Sequence, residues 1–141
     1  MRDLETAAAR LKKGGCSLVV VKNNTIICCR EGGGIKPLLH TIDELGDDMK
    51  QSCVADKVIG KAAAALCISG GVAGIYTPVM SRAAVTMLEA NGIVYSADRL
   101  VQGILNIHKT DLCPLEKLTA ESDNYRDILA IVKNFTQKAF R

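Results

Sequence analysis

The stretch CSLVVVKNNTIICC, from Cys16 to Cys29, narrows the fold of this chain more than any other. Two β-branched runs are separated by two asparagines and nothing else. Asn tolerates the left-handed backbone region, and a two-residue turn of that kind joins antiparallel strands. A hairpin is therefore expected near the amino terminus, and the rest of the chain has to be built around it.

Residues 3 to 13 precede it with Leu4, Ala7, Ala8 and Leu11 at helical spacing, stopped by Gly14-Gly15. After it, REGGGIKPLL feeds a glycine run into a helix with Pro37 suited to its first turn and Gly46 at its end. The segment SCVADKVIGKAAAALCISGG, Ser52 to Gly71, reads as one long helix closed by its two glycines. VAGIYTPVM is expected as a buried strand, Ser81 as the cap of a helix ending at Asn91-Gly92, and IVYS as a further strand. Residues 98 to 108, 114 to 120 and 123 to 139 complete the chain as helices. Strands alternating with helices call for a mixed sheet between helical layers, its later strands parallel and its hairpin an antiparallel edge. The expected fold is α/β, a three-layer α-β-α sandwich, with residues 1–141 forming one domain.

Of the 141 residues 48% are apolar but only 4% aromatic, so the core has to be aliphatic. Eighteen basic residues are scattered among fifteen acidic ones for a net charge of +3. That gives no dense cationic face of the kind nucleic acid requires. The longest apolar stretch is broken by Gly70-Gly71 and falls short of a bilayer span, so no membrane partner is expected. None of the six cysteines forms Cys-x-x-Cys, and Cys16, Cys28, Cys53 and Cys67 lie beside or inside apolar runs, where a free thiol packs as a small hydrophobe. The amino-terminal helix is charged, without a signal core. A reduced, cytoplasmic protein is the expectation.

The element order α-β-β-α-β-α-β is that of the cytidine-deaminase-like fold. The stretches SLVVVK, GGGIKPLL, SCVADKVIGKAAAAL, GVAGIYTPVMSRAAVTMLEANGI and CPLEK resemble a small family of unknown function usually grouped with that superfamily. The resemblance spans about residues 15 to 120 and implies the fold and a homodimer. Zinc deaminases in that superfamily open one helix with His-x-Glu and the next with Pro-Cys-x-x-Cys. Here the corresponding positions read Ala55-Asp56-Lys57 and Pro78-Val79-Met80-Ser81-Arg82, without a zinc ligand. Zinc-dependent deamination is therefore not expected, nor is any metal or other cofactor.

The candidate chemistry gathers on a few polar residues. Lys57 and Lys61 stand four apart, one turn of the expected helix, with Asp56 beside them as a cap or first-turn acid. Two ammonium groups near the strand ends suit an anionic, nucleotide-like small molecule, because open α/β sheets place ligands there. The plain alternative is that both lysines reach water along their stems. Gly32-Gly33-Gly34 and Lys36 could add backbone amides and a cation, or be only a flexible connection. Thr77 and Ser81 lie at a strand end and a helix start, where substrate contacts fall, although Ser81 is foremost a cap. Cys113 precedes Pro114 with Glu116 three residues beyond the thiol, which spells a helix cap or, with His108, Lys109 or Asp111 as helper, a nucleophile. His40 reads as a surface residue.

Three functions fit. The first is a zinc-free deaminase-like domain binding an anionic small molecule, with Lys57, Cys113 and Glu116 the catalytic candidates if it turns anything over. The second is an oligomerisation module whose Ala-rich helix packs on a partner. The third is a hydrolase, either with the non-standard catalytic residues Lys57 or Cys113 or with displaced metal ligands such as His108, Cys113 and Asp111.

Overall fold

A computed structural model describes residues 1–105 and 111–138. The hairpin forms as its turn dictates. β1 (Leu18–Lys22) pairs antiparallel with β2 (Thr25–Arg30), and Asn23 and Asn24 take positive φ of 51° and 66°. β1 also pairs antiparallel with β3 (Cys53–Asp56), which pairs parallel with β5 (Gly74–Ser81). The two-residue β4 (Val58–Ile59) and β6 (Val94–Val101) run parallel to β5 as well. The sheet is six-stranded and mixed, with β2 and β6 at its edges.

One helix covers one face. α1 (Arg2–Lys12) sets Leu4, Ala7 and Leu11 on Val19, Val21, Cys53, Ala55 and Tyr76. The other face carries α2 (Lys36–Leu45), α3 (Lys61–Gly70), α4 (Arg82–Ala90), α5 (Pro114–Thr119) and α6 (Tyr125–Lys138). Their core joins Leu18, Val20, Val54 and Ile75 of the sheet to Leu38, Leu66, Leu88 and Ile128. The expected three layers are present, unevenly filled.

Two helical expectations are corrected. Residues 52 to 71 are not one helix: Cys53–Asp56 and Val58–Ile59 are strands, and only Lys61–Gly70 is helical. In β3 the side chains alternate between faces, Cys53 and Ala55 under α1, Val54 toward α3, a period-two pattern that the adjacent alanine run obscured. Residues 98 to 101 extend β6, and the end of that expected helix lies outside the described residues. The alanine run also serves the interior rather than a partner. Ala62, Ala63, Ala64 and Ala65 are buried, and their small size lets α3 approach α4 and α6 closely.

Cys16 and Cys29 are joined in a disulfide across the base of the hairpin, so Cys16 is not the free thiol its apolar setting suggested. Cys28, Cys53, Cys67 and Cys113 are free. Among the described residues no helix is long and apolar enough to cross a membrane.

Candidate functional site

At the carboxyl ends of the parallel strands the sheet parts. β1 accompanies β3 as far as the pair Leu18–Asp56, but β4, one residue further on, has only β5 beside it. Asp56 stands where the strands separate, in a row with Leu18 of β1 and Arg30 of β2. One residue beyond the last β3–β5 pair, Ala55–Tyr76, Thr77 follows on β5 as Asp56 does on β3. The glycine run begins two residues past Arg30. Ser17 fastens it there, its hydroxyl donating to the Gly32 carbonyl at 2.7 Å while its amide donates to that of Arg30 at 2.8 Å.

Asp56 is half-buried on the α3 side of the sheet. Oδ1 accepts the Lys57 amide at 2.8 Å, and no further partner is found among the described residues. Burial pushes its pKa up to about 7 against an ordinary 3.8, the Lys57 hydrogen bond opposing only in part. Burial, with the Asp56 carboxylate nearby, likewise holds the Cys67 thiol far above its usual range.

The two lysines do not share a helical face. Lys57 is exposed in the break between β3 and β4. Lys61 opens α3 and is 6% exposed, its Nζ donating to the Ala120 carbonyl and to Asp123 Oδ1, each at 3.3 Å. Lys61 thus ties the start of α3 to the α5–α6 connection. Glu116, within α5, ties the same start of α3 to the segment after β6. Oε1 accepts the Lys61 amide and Oε2 the Ile104 amide, both at 3.2 Å. Instead of closing its own helix as a capping box, Glu116 supplies the first turn of α3 with the acceptor it lacks. Gly60 makes room: a Cβ there would stand 2.6 Å from Glu116 Oε1.

The remaining candidates scatter. Thr77 is fully buried, and its hydroxyl donates to the Val79 carbonyl. Ser81 is buried and caps α4, accepting the Ala84 amide at 3.2 Å. Cys113 precedes α5 half-buried, without a side-chain cap bond. Asp111 is paired with Lys117, a bond that holds its carboxyl below the usual range. Lys36 lines a shallow cleft of about 370 Å³ between α2 and α6, with the exposed His40, Asp43 and Lys133. A larger cleft, about 510 Å³, lies at the opposite end of the sheet around Gln51, Gly71, Asn91 and Tyr125. Neither includes Asp56 or Lys57. His108 lies outside the described residues. Among those described, no group of three or more His, Cys, Asp or Glu side chains is arranged to hold a metal ion.

The fold therefore sets Asp56, Lys57 and Thr77 side by side at the ends of β3 and β5, leaves the glycine run two strands away past Arg30, and diverts Lys61 and Glu116 to architecture. Sequence reasoning passed over Ser17, Gly60 and the Cys16–Cys29 pair. The last was within reach, since an Asn-Asn hairpin brings the residues before its first strand near the end of its second, where Cys29 lies.

No curated protein matches the sequence. A crystal structure of a DUF1893 family protein from Thermotoga maritima superposes with a TM-score of 0.87 at 28% identity, covering 94% of this chain and 89% of that one. Two weaker likenesses are to RibD of Acinetobacter baumannii (12% identity, TM-score 0.45) and to a diaminohydroxyphosphoribosylaminopyrimidine deaminase/5-amino-6-(5-phosphoribosylamino)uracil reductase of Thermotoga maritima (19%, 0.48). They cover 67% and 68% of this chain but only 33% and 36% of theirs. The family model for a domain of unknown function, DUF1893, matches residues 6–136, and the chain belongs to that family.

Proposed function

We propose that the chain binds an anionic, nucleotide-like small molecule at the carboxyl edge of the sheet, beside Asp56, where the β1–β3 pairing ends. One observation carries this reading: a half-buried carboxyl at the point where the strands part, holding its proton up to about pH 7. A neutral carboxyl can donate a hydrogen bond to a ligand and does not repel its anion. Near neutrality it can also give up or take a proton, the property a general acid or base needs. Lys57, exposed next to it, supplies the cation. Lys36, in its own cleft, and Ser81, engaged as a cap, make weaker claims on the ligand. If the bound molecule is turned over, the reaction is a hydrolase-like one in which Asp56 moves the proton. Lys57 and Cys113 are the nucleophiles to test, since both Glu116 oxygens are taken up by backbone amides.

The test is a thermal-shift screen with nucleoside monophosphates and sugar phosphates, because a ligand of the folded state raises the melting temperature. Asp56→Asn and Lys57→Met should each lose the shift while staying folded. A shift that survives both substitutions moves the site elsewhere.

A second reading, a homodimer, is favoured by the β6 edge, where Val94 and Leu100 are 52% and 43% exposed. An unpaired strand edge with apolar side chains is a template for pairing. Light scattering checks it: Val94→Lys with Leu100→Lys should convert a dimer to a monomer. The cytoplasm is the proposed location, tested by fractionating cells.

A further inference from the structure

We propose that the Cys16–Cys29 disulfide is a redox-operated clamp that sets the position of the Gly32–Gly34 segment. β2 is an edge strand bonded only to β1, and the glycine run leaves from its end. Gly32 and Gly34 hold φ of +134° and +73°, conformations open chiefly to glycine, so the segment has little stiffness of its own. Beyond the ladder that pairs Val19 with Cys29 and Leu18 with Arg30, it is held by the disulfide at Cys29, the Ser17 hydroxyl on the Gly32 carbonyl at 2.7 Å, the Ser17 amide on the Arg30 carbonyl at 2.8 Å, and the ion pair between Arg30 and Glu44. Ser17 adjoins Cys16, so the disulfide and both Ser17 bonds depend on where residues 16 and 17 sit. Cys16 directly follows Gly14-Gly15, both at positive φ, and releasing its sulfur frees that joint as well.

The two sulfurs are not equivalent. Cys16 is 4% exposed, whereas Cys29 is exposed at the edge. A thiolate from solvent reaches Cys29 first. A small thiol attacks Cys29 Sγ, a mixed disulfide forms there, and the Cys16 sulfur leaves as thiolate and takes up a proton. A second thiol attacks the mixed disulfide, giving the Cys29 thiol and the oxidised disulfide of the reagent. Two electrons pass from the two thiols to the protein, and a small-molecule disulfide reverses the exchange. In its consequence for binding, though not in the clamp itself, this inference rests on the ligand site proposed beside Asp56. Arg30, Leu18 and Asp56 stand in one row across three strands, so β1 alone separates the strand that carries the clamped segment from the strand that carries Asp56.

The full chain is compared after treatment with oxidised glutathione and after reduction with dithiothreitol. Thiols are counted by alkylation in denaturant, and amide hydrogen exchange is followed along the chain. The clamp requires four alkylated thiols in the oxidised form and six in the reduced form. It also requires exchange at residues 31 to 35 to quicken by about tenfold on reduction while β1 and β3 stay protected. Cys29→Ser, without reductant, should match the reduced profile. Six thiols after oxidised glutathione, or equal exchange at residues 31 to 35 in both states, overturns the proposal. A thermal shift by AMP that is larger in the oxidised form supports clamp and site together. Redox-dependent exchange without any nucleotide-induced shift supports the clamp and overturns the binding reading.

Discussion

Asp56 gives the most direct prediction at the scale of one residue. The folded carboxyl keeps its proton up to about pH 7, whereas the unfolded one releases it near its ordinary 3.8. Between those values the unfolded chain binds fewer protons, so stability falls as pH rises through that window. Partial solvent access discounts the full shift to about 1–3 kcal/mol. Asp56→Asn should therefore stabilise the protein by about that amount at pH 8 and change little at pH 4, a difference that urea unfolding at the two pH values measures. A pH-independent effect would mean that the carboxyl is charged throughout. A side chain that costs stability at neutral pH fits a role beyond packing. The sequence identified Asp56 and Lys57 as polar residues in an apolar stretch, but not which was shielded from water. That depends on neighbours contributed by α3 and by β1, the latter remote in the chain.

At the scale of an element, the start of α3 shows how a helix can be finished by a distant segment. Nothing near Lys61 in sequence caps it, and Glu116, fifty-five residues away, does. Gly60→Ala should push that carboxylate off its two amides and cost about 1–3 kcal/mol. Glu116→Ala should cost a similar amount, and the double variant scarcely more than either, because both changes remove the same contact. Denaturant midpoints of the three variants check this, and additive costs would show that Gly60 and Glu116 act independently. The same region explains the misread helix. The alanines after Lys61 have the highest helix propensity, whereas Val54, Val58 and Ile59 before Gly60 carry the strand signal in two short pieces. The hairpin, by contrast, was legible because its turn and both strands lie within fourteen residues.

Across the whole molecule, the order of layers followed from alternation of strands and helices, but their unequal filling did not. That α1 alone covers its face depends on side-chain volumes matched through space rather than along the chain. The disulfide acts at this scale too. It closes a loop with a sequence separation of 13, so reducing it should lower stability by about 3 kcal/mol and the melting temperature by about 10 °C. Calorimetry with and without reductant measures that drop, and an unchanged transition would mean the hairpin's own ladder suffices. The parting of the strands at Asp56 has a different bearing. A divergence of strands set by the course of the main chain owes its existence to no single side chain, so it can outlast wholesale replacement of residues. Two chains alike at 28% of positions yet superposing at 0.87 inherit a common outline. What such relatives hold in common is the path of the backbone, on which each sets its own side chains.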